Sequence, residues 1–418
     1  MPDDVIMEVQ NHQASWMSNW FKWCPTSMEL LREAEKRILE NLTTLGAGKY
    51  VELSCIPDME KESSQVWTLR ANTGSPNTPL LLLHGFGSGS ALWCLNIDAL
   101  AAHRPVYAMD ILGFGRSSRP KFHSDAIHAE KQFISSIEGW REALGLEKFI
   151  LLGHSFGGFL AASYAIKYPD RVAHLVLADP WGFPERPLDV DERYNLPLWA
   201  KALGTVAQYF NPLSILRLAG PLGPGILQKA RPDMTKKFAG LLPNADEAIP
   251  SYLYHCNAQT PSGESAFHSL MSGFGWAKFP MFHRLDALQQ EVPITLIYGS
   301  RSWVDRDPGF QIKYSRQNSY VDVQILQGAG HHVYADRADR FNTLVNKIGK
   351  HVDSGTLPDL PSAEPYSSSA RDTGAFSVND TLNKFINVRH DTVQGRIDAD
   401  DSDDDDDDVL KEKSNQSS

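Results

Sequence analysis

An apolar run, Phe149-Ile150-Leu151-Leu152, leads straight into Gly153-His154-Ser155-Phe156-Gly157, and a helix-patterned stretch from Phe159 to Tyr168 follows. That order reads as strand, sharp turn, helix. It constrains the chain more than any other feature, because a turn this tight needs small residues flanking its serine. The turn pushes the serine Oγ into the open and leaves the next N–H free to face a developing negative charge. G-x-S-x-G alone is a weak pattern, since Gly and Ser are common. In a strand–turn–helix setting it carries weight. The plain alternative is a Gly-rich turn without chemistry.

The flanking chain repeats the same alternation. Thr26-x-x-Glu29 reads as a capping box opening a helix with Leu31, Ala34, Ile38, Leu42 and Leu45 on one stripe, ended by Gly46 and Gly48. Strand patterns span 50–56 and 65–71. Pro79-Leu80-Leu81-Leu82-Leu83 is apolar throughout, as suits a strand buried on both faces. Then come His84-Gly85-Phe86-Gly87, a helix over 91–102, a strand over 105–110 and the Gly-rich loop Asp110 to Ser117. A helix over 126–144, the elbow unit and a strand over 173–178 follow. Strands return at 293–298 and 321–326, with a last helix over 334–351. The expected fold is α/β: a mostly parallel sheet flanked by helices, with a helical cap inserted after the sixth strand.

From 181 to about 290 the alternation stops. Short Pro-broken segments carry Tyr194, Trp199, Tyr209, Phe210, Tyr252, Tyr254, Phe274, Trp276, Phe279 and Phe282. An apolar lid over a serine site fits a greasy substrate, although most such rings fill a core of their own. The division expected is a Trp-rich lipid-surface segment at 1–25, core at 26–180, helical cap at 181–290, core again at 291–351, and a disordered acidic tail at 352–418.

The net charge of -11 is concentrated in that tail, where residues 391–418 hold eleven acidic and three basic groups. No broad basic face points to nucleic acid. Cys24, Cys55, Cys94 and Cys256 lie far apart, without metal or redox spacing. No cofactor and no metal is expected. The acidic N-terminal stretch does not read as a secretory signal, and no apolar run is long enough to span a membrane. The protein is expected to be cytoplasmic, or peripherally attached to lipid droplets or intracellular membranes.

A serine hydroxyl needs a base, and the base needs an acid to fix its tautomer. In this fold the chain order is serine, acid, histidine. Asp305, just past the strand at 293–298, is the first choice for the acid. Asp307 and Asp179 are the alternatives. His331, following Gly328-Ala329-Gly330, is the base, with His332 a packing neighbour. The N–H groups of Phe86 and Phe156 would form the oxyanion hole, and His84 reads as structural. His331 with Asp336 also makes an H-x4-D pattern of acyltransferase type. The plainer reading gives His331 to the triad and leaves Asp336 as a favourable charge at a helix start.

HGFGS, DILGFGRSSRP, GHSFGGFLAASYAIKYPDRV, ADPWGFPERP, YGSRSWVD and GAGHHVYAD together resemble alpha/beta-hydrolase domain-containing proteins four and five, over about residues 16–350. The resemblance implies an alpha/beta-hydrolase fold and a role in intracellular glycerolipid and phospholipid metabolism. The branch of protein four keeps the elbow serine and hydrolyses N-acyl phosphatidylethanolamines and their lyso forms. The branch of protein five has asparagine there. It serves as a coactivator of a triglyceride lipase, with an assigned lysophosphatidic acid acyltransferase activity. Ser155 allows a hydrolytic triad; the other features fit both branches. Trp16, Trp20 and Trp23 share one helical face and are similar to that family's lipid-droplet segment, or else pack on the folded body. Arg301 is a candidate contact for a protein partner such as the lipase or a droplet-coat protein. Its plain alternative is a salt bridge that holds the acid loop.

Overall fold

The computed structural model describes residues 25–54, 56, 59, 64–187, 213–272 and 275–357. Trp16, Trp20, Trp23, Cys24, Cys55, Tyr194, Trp199, Tyr209, Phe210, Phe274 and residues 358–418 of the expected tail lie outside them, while the last helix continues to Asp353, two residues into the expected tail.

Eight strands form one sheet in the order β1-β2-β4-β3-β5-β6-β7-β8. They are β1 (Lys49–Leu53), β2 (Ser64–Ala71), β3 (Leu80–Leu83), β4 (Val106–Met109), β5 (Phe149–His154), β6 (Val172–Ala178), β7 (Ile294–Gly299) and β8 (Val321–Leu326). β1 pairs antiparallel with β2, and β2 with β4. Every pairing from β4 through to β8 is parallel. β3, β4, β5 and β7 are buried at every position, as continuous apolar runs between two helical layers should be. One apolar core packs helices Ala126–Ala143 and Phe156–Lys167 on one face of the sheet. The second core packs Met28–Leu39, Ile97–Ala101 and Ala338–Asp353 on the other.

Several element ends depart from the sequence reading where side chains make other hydrogen bonds. The first helix is capped by Ser27, whose hydroxyl accepts the Leu30 N–H at 3.2 Å, while Thr26 turns to His255 at 3.1 Å. That helix stops at Leu39 because the Asp98 carboxylate takes the N–H and hydroxyl groups of both Thr43 and Thr44. The helix expected over 91–102 is a 3₁₀ turn, Ser90–Leu95, followed by Ile97–Ala101. Asn96, between them, is anchored through its side chain to Tyr334 and Asn342.

Between β6 and β7 lie the helices Ser214–Ala219, Gly223–Ala230, Pro232–Phe238, Ala245–Asn257, Gly263–Leu270 and Met281–Arg284. Tyr252 and Tyr254 are buried, whereas Phe279 is exposed. Arg119, from the loop after β4, ties this insertion to the sheet. Its guanidinium donates to the Gly113 and Gly115 carbonyls and also to those of Cys256 and Thr260. No described helix is long and apolar enough to cross a membrane.

Candidate active site

β5 ends at His154, and helix Phe156–Lys167 begins one residue beyond Ser155. Ser155 bridges them at φ 53, ψ -118, a backbone state that costs a side-chain-bearing residue about 1–3 kcal/mol. The close packing around the turn explains its glycines. A Cβ on Gly157 would come within 2.5 Å of the Leu83 carbonyl oxygen. A Cβ on Gly85 would meet His154 Nδ1 at 2.9 Å and Ser155 Cβ at 3.1 Å. The loop after β3 therefore lies directly against the elbow.

His331 arrives on the loop after β8. Its Nε2 is 3.0 Å from Ser155 Oγ, and its Nδ1 is 2.6 Å from Asp179 Oδ2. A carboxylate on Nδ1 fixes the proton there and leaves the Nε2 lone pair facing the serine. The residue opposite His331 is thus Asp179, not Asp305. Asp179 directly follows β6 and is fully buried at φ 47. It also takes the Gly299 N–H at 3.1 Å and the Ser302 hydroxyl, so it sits across the end of β7. Asp305 lies six residues beyond Gly299, is exposed, and accepts the Asp307 N–H at 3.0 Å at the start of helix Asp307–Ser315. Both acids follow a parallel strand, so strand position alone did not separate them.

Phe156 opens its helix, so its N–H has no partner four residues back. Phe86 sits on the loop after β3. His84 is structural, as expected: its Nδ1–H reaches the Gly85 carbonyl at 2.8 Å, and its Nε2 accepts the Ile111 N–H at 3.0 Å. His154, read from sequence only as part of the elbow, holds the His331 backbone. Its Nε2–H lies 2.9 Å from the His331 carbonyl oxygen. The cue available was its place beside the serine at a strand end.

Asp336 does not face a ring nitrogen of His331, since Asp179 and Ser155 take both. Asp336 ends the short helix Val333–Asp336, rather than starting one, and accepts the Gly330 N–H at 2.8 Å. It also pairs with Lys237 of the insertion at 3.2 Å. Lys237 in turn lies 3.5 Å from His332 Nδ1, and the His332 ring packs on those of His154 and His331. Arg301 is exposed. Its guanidinium donates to the Gly328 carbonyl, and its N–H reaches the Ala329 carbonyl at 2.9 Å. It joins the loops after β7 and β8 through backbone acceptors.

Residues 78–338 match the family model described as alpha/beta hydrolase fold. The human (Lyso)-N-acylphosphatidylethanolamine lipase is 48% identical over 355 residues, spanning 84% of this chain and 100% of that protein. The human 1-acylglycerol-3-phosphate O-acyltransferase ABHD5 is 47% identical over 329 residues, or 78% of this chain and 92% of that protein. The chain belongs to the alpha/beta hydrolase family, in the branch of domain-containing proteins four and five. Among solved structures, naproxen esterase from Bacillus subtilis shares the fold at a TM-score of 0.51 and 17% identity, covering 75% of this chain and 95% of that one.

In this alpha/beta hydrolase, burial lowers the His331 pKa, and the positive charges of Lys237 and Arg231 lower it further, against the opposing charge of Asp336. Burial raises Asp179, opposed by hydrogen bonds from Ser302 and Gly299. The His331 shift favours a neutral imidazole at rest, the state that can accept a proton. For a reaction that uses His331 as its base, activity would fall as pH drops through the His331 pKa. Removing a nearby cation makes the imidazolium easier to form and raises that pKa. Lys237→Met is therefore expected to move the acid limb of kcat/KM upward by about half a pH unit, the scale of one screened charge contact. A pH–rate profile of the variant against the parent checks this. An unmoved limb would mean that Lys237 acts only as a tether.

Proposed function

We propose that the chain is a serine hydrolase of intracellular lipid metabolism. Its substrates are acyl esters of phospholipids and lysophospholipids, including the N-acyl phosphatidylethanolamine type. The observation that carries the reading is the unbroken relay from Ser155 through His331 to Asp179, at 3.0 and 2.6 Å. Ser155 Oγ attacks the ester carbonyl carbon and passes its proton to His331 Nε2. The Phe86 and Phe156 N–H groups receive the carbonyl oxygen as it becomes an oxyanion. His331 then returns the proton to the leaving alcohol oxygen, and water repeats the sequence on the acyl-enzyme. Rings of Phe86, Phe114, Trp181 and Phe267 cluster with that of Phe156, the residue after the serine, an apolar surround suited to an acyl chain. The insertion between β6 and β7 serves as the cap.

The 47% identity to an acyltransferase favours a second reading, in which an acceptor hydroxyl replaces water at the acyl-enzyme. The same triad serves that transfer, because Asp336 is directed at Gly330 and Lys237. A third role, coactivation of a triglyceride lipase at a droplet surface, would use Arg301 for the partner and Trp16, Trp20 and Trp23 for the lipid.

The test offers the purified full chain three reactions: lysophospholipid alone, lysophosphatidic acid with acyl-CoA, and triglyceride with a partner lipase. Fatty acid release from the first is the expected result. Transfer to the acceptor without release would replace hydrolase by acyltransferase. Activity in the third alone would sink both enzyme readings.

A further inference from the structure

The loop carrying the Phe86 N–H is held from two sides. His84 anchors its first half to the loop after β4, its Nδ1–H reaching the Gly85 carbonyl and its Nε2 accepting the Ile111 N–H. Its second half is held by the cap. Asn257, 5% exposed at the end of helix Ala245–Asn257, donates its Nδ2–H to the Gly87 carbonyl at 2.8 Å and to Leu253 at 2.7 Å. Gly87 stands at φ 65, and a glycine there is free to swing between several backbone states unless something fixes it. Between the two anchors, the Phe86 side chain lies flat against Phe267 of helix Gly263–Leu270, with ring centroids 4.2 Å apart at 24°. The same Phe267 ring meets Phe156 edge-on, at 4.8 Å and 73°. One ring of the cap therefore touches the side chains of both residues whose N–H groups the proposed mechanism assigns to the oxyanion hole.

We propose that Phe267 and Asn257 are positioning residues which make the cap part of the oxyanion hole, holding the Phe86 N–H in place relative to that of Phe156. The inference rests on the serine-hydrolase reading given above. It gives the cap a role beyond covering an acyl chain. A donor pair is effective only if it is already aimed where charge will develop, so that no reorganisation is needed during reaction. An interaction of that kind is felt in the transition state and little in the ground state. Loosening the loop should therefore lower kcat and leave KM nearly unchanged. A residue that merely lined the acyl pocket would do the reverse.

The test uses the full chain with Phe267→Leu, which keeps an apolar side chain, and Asn257→Ala as an independent second variant. The substrate is p-nitrophenyl acetate, whose short acyl group keeps pocket contacts out of the readout. The inhibitor is a trifluoromethyl ketone, to which Ser155 Oγ adds to leave an oxyanion in the hole. Each variant is expected to lose about tenfold in kcat, part of the 10²–10³ that loss of a whole donor costs, with KM within about twofold. The ketone inhibition constant should rise by the factor that kcat falls, and Phe267→Tyr, which keeps the ring, should restore most of both. A raised KM with kcat and ketone binding unchanged would overturn the proposal, as would full activity in both variants. Ester hydrolysis surviving Ser155→Ala would instead overturn the underlying hydrolase reading, whatever the two cap variants do.

Discussion

Asp179→Asn is expected to cut kcat by about 10⁴-fold with the protein still folded, because an amide opposite Nδ1 allows the wrong imidazole tautomer. The geometry leaves little slack. The Asp179 carboxylate holds His331 at 2.6 Å while also taking the Gly299 N–H and the Ser302 hydroxyl. An asparagine can keep the Gly299 contact through its oxygen. It must then offer its NH2 either to Nδ1, stranding the proton on Nε2, or to Ser302. A base protonated on Nε2 cannot accept from Ser155. Asp305→Asn should leave kcat within about twofold, since an asparagine oxygen also accepts the Asp307 N–H. The check is kcat for both variants on one soluble ester, with circular dichroism and thermal melts for folding. Equal and severe losses would show that the loop after β7 matters to the site as much as the end of β6.

How far the sequence discloses this site depends on the reach of each signal. The serine was legible because a tight turn imposes its own local pattern, small residues around Ser155 between an apolar strand and a helix. His331 was legible for a similar reason, as a histidine on a Gly-rich loop after the last strand. The acid was not. Asp179 and Asp305 each follow a parallel strand, and the choice between them depends on which carboxylate is carried to Nδ1 across neighbouring strands. Asp179 lies 2.6 Å from Nδ1 and is fully buried, while Asp305 is exposed on the loop after β7. His154 was hidden for the same cause, its bond to the His331 carbonyl spanning 177 residues.

The sheet was read nearly strand for strand because strands buried on both faces leave unbroken apolar runs such as Leu80–Leu83. Helix ends were read less well. The first helix stops where Asp98, more than fifty residues on, captures Thr43 and Thr44. The last helix is broken at Arg337, at φ -137, between Val333–Asp336 and Ala338–Asp353. Helical periodicity runs on through both points, because nothing in the local pattern encodes a tertiary hydrogen bond.

Ser155→Ala is expected to lower kcat for lysophospholipid by about 10⁶-fold, the scale on which removal of a triad nucleophile acts, while leaving thermal stability nearly unchanged. The small stability effect follows from the local geometry. Ser155 pays for a strained turn at φ 53, and its hydroxyl is bonded to His331 rather than to the fold. Alanine keeps the strain but loses only that one bond, so any change in melting is small. A fluorophosphonate probe, which needs an activated serine, should label the parent and not the variant. The same variant also separates the enzyme from the coactivator. A surface that stimulates a partner lipase would lie around exposed groups such as Arg301, and removing one buried oxygen leaves that surface as it was. Loss of fatty acid release with stimulation retained would place the two activities on separate parts of one scaffold, since a fold does not tie its chemistry to its contacts. Loss of both together would tie stimulation to turnover at Ser155. Undiminished hydrolysis by the alanine variant would remove the nucleophile from the mechanism altogether.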